Sequence, residues 1–237
     1  KKIADQVGGK TFAHNTGCAI IGNDVPGIAD FFGALANHPN VNSVLIVGLG
    51  CETIQGNELA DQLLAKNKST KYLVTQESGG MGATLQKGVA AAKELTKEFP
   101  TNNKDLTDIV VGIESSKNSN KTEKIVVELA KLGIKTVGAT GEITGTNFSE
   151  LMEKGAHLII SLSAPEQPPS GFPLIPVINI ASNSPLHSAI STDFDLTDSS
   201  STAELISLIE KVANGEKTKA EILDSGEIMA PRVVRSV

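Results

Sequence analysis

Short runs along this chain, several of them continuously apolar at their centre, alternate with longer stretches whose apolar positions fall three or four residues apart. The runs occupy residues 10–14, 44–47, 72–75, 108–113, 134–138, 157–161 and 176–180, most of them rich in Val and Ile and ending at Gly or polar residues. Such runs predict strands covered by helices on both faces. Between them, Leu59, Leu63 and Leu64 mark a helix over 55–66, Pro26 opens one reaching 37, and Pro100 stops an Ala-rich one. Two more are predicted over 124–132, closed by Gly133, and over 201–214. Strands alternating with helices in this way predict a doubly wound α/β fold, a mostly parallel sheet with helices on both faces. The expected organisation is a first half, 1–145, that carries the strand-end motifs, and a second half, 146–237, packed with it as one continuous unit. The loop holding Pro165, Pro168, Pro169 and Pro173 reads as a rigid rim rather than a domain boundary.

Composition changes this picture in three places. The 237 residues are 40% hydrophobic but only 3% aromatic, with no Trp, so the core is expected to be Val, Ile, Leu and Ala. The net charge of -6 and the scattered basic residues argue against nucleic acid and anionic lipid as partners. No apolar run approaches the roughly 20 residues that span a bilayer. The start lacks a signal-peptide apolar region, which leads to the expectation of a cytoplasmic protein. The first residue is Lys1 rather than Met, which points to a trimmed or processed start. Two cysteines, Cys18 and Cys51, are too few for a disulfide framework and read as thiols.

Candidate chemistry gathers at the carboxyl ends of the predicted strands: His14 with Cys18, Cys51 with Glu52, Gln76 with Glu77, then Glu114, Glu142 and Asn183. In a parallel sheet these ends share one rim, so the residues from His14 to Asn183 are expected to converge there. His14 and Cys18 offer nitrogen and sulfur to a divalent metal, with Cys51 or a carboxylate completing an open site. Each Cys reads equally well as a small apolar residue packed behind a strand. Glu52 and Glu77 are general-base candidates, because a partly dry strand end raises a carboxylate pKa, and either also reads as a helix cap. Gly79, Gly80 and Gly82 offer backbone N–H groups to an anion, or simply make a tight turn. Gly48-Leu49-Gly50 does not complete a dinucleotide fingerprint, since Thr53 holds the sixth position and no acidic residue follows a second strand where one is required. Arg occurs only at Arg232 and Arg235. A carboxylate ligand would therefore be held by helix N-termini, a metal, or a lysine such as Lys87, Lys117 or Lys121.

Taken in order, the run 14–18, the Asn-His-Pro-Asn at 37–40, Gly-Cys-Glu at 50–52 and Gln-Glu-Ser-Gly-Gly at 76–80 resemble the altronate/galactarate dehydratase family. The segments 138–145, 157–183 and 212–221 extend that resemblance over nearly the whole chain. It implies metal-assisted elimination of water from a small hydroxy- or sugar-acid carboxylate, usually with iron as Fe2+. By position it places His14, Cys18, Cys51, Glu52, Gln76 and Glu77 at the site, lined further by Gly79, Gly80, Glu142 and Asn183. A relative of the family releases sulfite from sulfolactate, and a sulfo-lyase-like large subunit is one alternative. The chain departs from the pattern at 114–119, where Glu-Ser-Ser-Lys-Asn-Ser replaces Glu-Cys-Gly-Gly-Ser-Asp, in a shortened segment after Gly145, and in lacking a late-loop Arg. Those departures leave open a catalytically silent member that binds a small acid or a protein partner. The small N-terminal domain of these enzymes is expected in trans, as a domain or subunit, and a homo-oligomer is compatible with the pattern.

Overall fold

A computed structural model describes residues 1–13, 17–20, 22, 24–98, 105–115, 120–140 and 145–228. The chain forms two compact units, the first built on Lys1–Thr101 and the second on Asn102–Ile228. The sequence placed its division after residue 145 and expected one continuous body.

In the first unit, α1 (Lys2–Val7) and α2 (Asp24–Asn37) precede β1 (Ser43–Gly48), α3 (Gly56–Ala65), β2 (Ser69–Val74), the single turn α4 (Thr75–Ser78) and α5 (Met81–Leu95). β1 and β2 pair in parallel, Ile46 opposite Tyr72 and Gly48 opposite Val74. The first turn of α3 lies on the face carrying Ile46 and Tyr72, because Gly56 sits against both side chains. Lys71, alternating to the opposite face, pairs with Glu94 of α5. The strand predicted over 10–14 is absent from the described residues 10–13, and among the described residues this sheet has two strands. Val47 is 43% exposed and Val44 to Ile46 are only partly buried, which corrects the reading of 44–47 as buried on both faces.

The second unit contains β3 (Val110–Ser115), α6 (Asn120–Lys131), β4 (Lys135–Thr140), α7 (Gly145–Glu153), β5 (Leu158–Leu162), β6 (Val177–Ala181), α8 (Pro185–Ala189), β7 (Leu196–Thr197), α9 (Thr202–Ala213) and α10 (Lys219–Ile222). Its five strands run in the order β4-β3-β5-β6-β7, all parallel. Val111, Ile113, Leu158, Ile160, Ile178 and Ile180 form one face and pack against Ile125 and Leu129 of α6 and Leu205, Ile209 and Val212 of α9. On the other face, Gly112 lies against Leu151 of α7 and Ala156, where a Cβ would come within 3.2 Å of both. This unit is the doubly wound parallel sheet that the alternation predicted, with helices on both faces. α9 starts at a capping box in which the Ser201 hydroxyl accepts from Glu204 N–H and the Glu204 carboxylate accepts from Ser201 N–H.

Among the described residues β1 and β2 form one sheet and β3 to β7 another, so no single sheet carries the rim expected from His14 to Asn183, and His14 and Glu142 themselves lie outside the described residues. Periodicity finds strands and is silent on which sheet each joins.

Candidate functional site in the first unit

The loop leaving β1 is organised by one carboxylate. Glu52 folds back so that Oε1 accepts from Leu49 N–H and Oε2 accepts from Gly50 N–H at 2.8 Å. Gly50 has φ of 112°, and a Cβ there would meet Val74 at 2.8 Å and Gln76 at 2.9 Å, so the turn requires glycine. Burial pulls the Glu52 carboxyl upward, but the amides of Leu49, Gly50, Glu52 and Cys51 outweigh it and hold the group below the ordinary glutamate range. This is opposite to the raised pKa expected of a base at this strand end.

The thiols do come together. Cys18, on a 3-10 turn at Gly17–Ala19, places Sγ 3.5 Å from Cys51 Sγ and 3.0 Å from Cys51 O, where it donates. Thr53 N–H donates to Gly17 O at 3.3 Å and fastens the two segments independently of sulfur. The hydrogen bond with Cys51, with smaller contributions from burial and from the Cys51 and Glu52 charges, raises the Cys18 pKa. His14 and Glu142 lie outside the described residues. Among the described residues no group of three His, Cys, Asp or Glu side chains could hold a metal. The separation of the two sulfurs suits two corners of a soft-metal site, where Zn–S bonds are about 2.3 Å. Glu52 is committed to backbone amides, so any third donor comes from elsewhere.

The other histidines do backbone work. His38, His157 and His187 each accept a main-chain amide at Nδ1, from Asn40, Val110 and Ser182 respectively.

Beside the turn lies a cavity of about 500 Å³, lined among others by Gly50, Gln55, Asn57, Tyr72, Glu77, Ser78 and Lys87. α4 carries the exposed Gln76 and Glu77 at the end of β2, and Gly79 and Gly80, with φ of 94° and 92°, turn the chain from α4 into α5. Lys87 reaches back from α5 to donate to Ser78 O at 3.2 Å. Tyr72 is the only tyrosine in the chain, and its pKa is raised by burial first, then by the negative charges of Glu52 and Glu77. Glu77 and Lys87 are legible in the sequence and Tyr72 is not, its one signal being that it is the lone tyrosine in the run leading to Gln76-Glu77. Of the other lysines proposed to hold a carboxylate, Lys121 is paired with Asp198 at 2.9 Å, and Lys117 lies outside the described residues.

The second unit has its own buried polar row. Glu114, Ser161 and Asn179 sit opposite one another on β3, β5 and β6 and are all buried. The Glu114 carboxyl is pushed up to about 7 by burial, against hydrogen bonds from Ser161 and Asn147. Asn179 closes a reciprocal pair with Ser170, donating to its carbonyl at 2.9 Å and accepting from its amide at 3.1 Å. Asn183 is exposed in the loop after β6.

No helix among the described residues is long and apolar enough to cross a membrane. Residues 3–99 match the family described as D-galactarate dehydratase/Altronate hydrolase, second domain. The chain is 26% identical over 149 residues to altronate dehydratase from Bacillus subtilis (strain 168), a stretch covering 62% of this chain and 26% of that protein. It thus spans about a quarter of that relative's length. No solved structure matches the chain. The thiol pair, the Glu52 turn and every residue named in the cavity wall fall inside the matched region. The likeness to the D-galactarate dehydratase/altronate hydrolase second domain therefore lies in residues 3–99, less than half of the chain.

Proposed function

We propose that the first unit forms the catalytic surface of a metal-assisted lyase that eliminates water from a small hydroxy- or sugar-acid carboxylate. The observation that carries this reading is the cavity shared by Tyr72, Glu77 and Lys87 inside the family-matched region. Elimination needs a base for the proton α to the carboxylate, an acid for the departing hydroxyl, and a positive partner for the carboxylate. Glu77 is the base, taking the α proton as the carbon–carbon double bond forms. Tyr72 stays protonated beside two carboxylates and delivers its proton to the leaving hydroxyl, which departs as water. The resulting enol tautomerises to a 2-keto-3-deoxy acid. Lys87 faces the substrate carboxylate, and Gln76 and the backbone at Gly79 and Gly80, next in sequence to the lining residues Glu77 and Ser78, are the further substrate contacts that the resemblance assigns. Glu52 positions the Gly50 wall through the backbone, and His14, Glu142 and Asn183 complete the set that the family resemblance assigns.

Held by His14, Cys18 and Cys51, a divalent metal such as Fe2+ would supply Lewis-acid polarisation of a substrate oxygen. Completion by a small N-terminal domain or subunit in trans, assembly as a homo-oligomer and a cytoplasmic setting belong to the same reading. Sulfite release from sulfolactate would use the same base with a different leaving group. A second reading, a silent member that binds a small acid or a protein partner, is favoured by one observation: Glu52 is occupied by backbone amides.

The test is turnover of altronate, galactarate and sulfolactate by protein purified without oxygen and loaded with Fe2+. The lyase reading expects a 2-keto acid from the sugar acids or sulfite from sulfolactate, lost in Glu77→Gln and in Tyr72→Phe. Inertness toward all three substrates favours the binder.

A further inference from the structure

We propose that Cys18 and Cys51 are a disulfide-forming pair, a modification site that a low-molecular-weight disulfide closes and a thiol reductant reopens. Both thiols are free and exposed, and their sulfurs are 3.5 Å apart although 33 residues separate them in sequence. Closing a bond of about 2.05 Å needs a movement of roughly 1.5 Å, within the reach of side-chain rotation. The segments are already joined by the amide of Thr53 on Gly17 O, so the bond forms between elements that the backbone holds together.

The exchange balances without a metal. One thiolate attacks a sulfur of oxidised glutathione, the glutathione S–S bond breaks and one glutathione thiolate leaves. The second thiol, as its thiolate, attacks the protein-bound sulfur of that mixed disulfide and expels the second glutathione. Two protein thiols are oxidised, one glutathione disulfide is reduced, and the two protons that the protein thiols lose end on the two departing glutathione thiolates, directly or through water. The geometry alone supports the bond. Its consequence rests on the metal reading above: the same two sulfurs cannot bind a metal while they are joined, so oxidation would remove them as ligands.

The experiment treats the whole chain with oxidised glutathione and reads free thiols, intact mass and a non-reducing gel. The expected wild-type result is loss of both free thiols and of two hydrogens in mass, a monomeric band, and full reversal by dithiothreitol. Cys18→Ser and Cys51→Ser should each stop at one stable glutathione adduct. Stable adducts on the wild type, or a disulfide-linked dimer, overturns the pair. A separate arm uses Co2+ as the metal probe: absorption bands from thiolate coordination in the reduced chain, absent after oxidation, support the consequence. Equal Co2+ binding before and after oxidation overturns the consequence, and no binding by the reduced chain fails the metal reading while the thiol result decides the disulfide.

Discussion

Ser161 donates a 2.9 Å hydrogen bond to Glu114 Oε2 across the β3–β5 pair, inside a layer where both residues are buried. That bond and Asn147 favour the charged carboxyl, yet Oε1 has no hydrogen-bond partner among the described residues, and burial wins. The folded chain therefore keeps a proton on Glu114 from the ordinary value of about 4.5 up to about 7, while the unfolded chain has released it. Stability from this group is fully present below about pH 4.5 and declines until about pH 7, by about 3 kcal/mol. Thermal melts of wild type and Glu114→Gln across that range should diverge, the wild type falling relative to the variant as pH rises. Parallel curves would refute the assignment.

Glu52 works in the opposite direction. Its depressed carboxyl contributes stability that is present above the ordinary glutamate range and is lost as pH falls through the folded value. Glu52→Gln replaces an acceptor facing two amides with a group that has only one acceptor oxygen. We expect it to destabilise the first unit by about 1–2 kcal/mol, read from urea unfolding. A variant that loses turnover at unchanged stability would instead make Glu52 a reacting group.

Gly56 leaves no space for a side chain, since a Cβ there would lie 2.5 Å from the Tyr72 ring and 3.1 Å from Ile46. Gly56→Ala should push Tyr72 away from the cavity wall and cost about 1–3 kcal/mol. The comparison with Gly33→Ala, at an open position within α2, separates this clash from helix propensity. Equal stabilities for the two variants would remove the argument.

Asn179→Ala should destabilise the second unit by about 1–3 kcal/mol, because the partly buried Ser170 amide and carbonyl both lose the buried Asn179 side chain as partner. Asn179→Asp restores only the acceptor and should recover part of that loss. Hydrogen exchange at Ser170, faster in both variants than in wild type, reports the site directly.

The candidate site was partly legible. Gly-Cys-Glu and Gln-Glu-Ser-Gly-Gly pointed to the strand ends that meet in the first unit, because Gly-rich bends after apolar runs mark where a parallel sheet opens. Tyr72 is not legible as a site residue because a single aromatic inside a strand looks like core, and only three-dimensional placement brings it within reach of the charges of Glu52 and Glu77. α7 was also missed, although Phe148, Leu151 and Met152 stand at helical spacing and are buried.

By itself the sequence determined the alternation of strands and helices, the aliphatic core, and the polar residues at strand ends, since these follow from side-chain periodicity and local turn chemistry. Tertiary structure alone decided that β1 and β2 form a separate sheet, that Glu52 spends its charge on Leu49 and Gly50, and that Cys18 meets Cys51. Those outcomes depend on which distant segments pack together and how much water they exclude, quantities that no local pattern encodes.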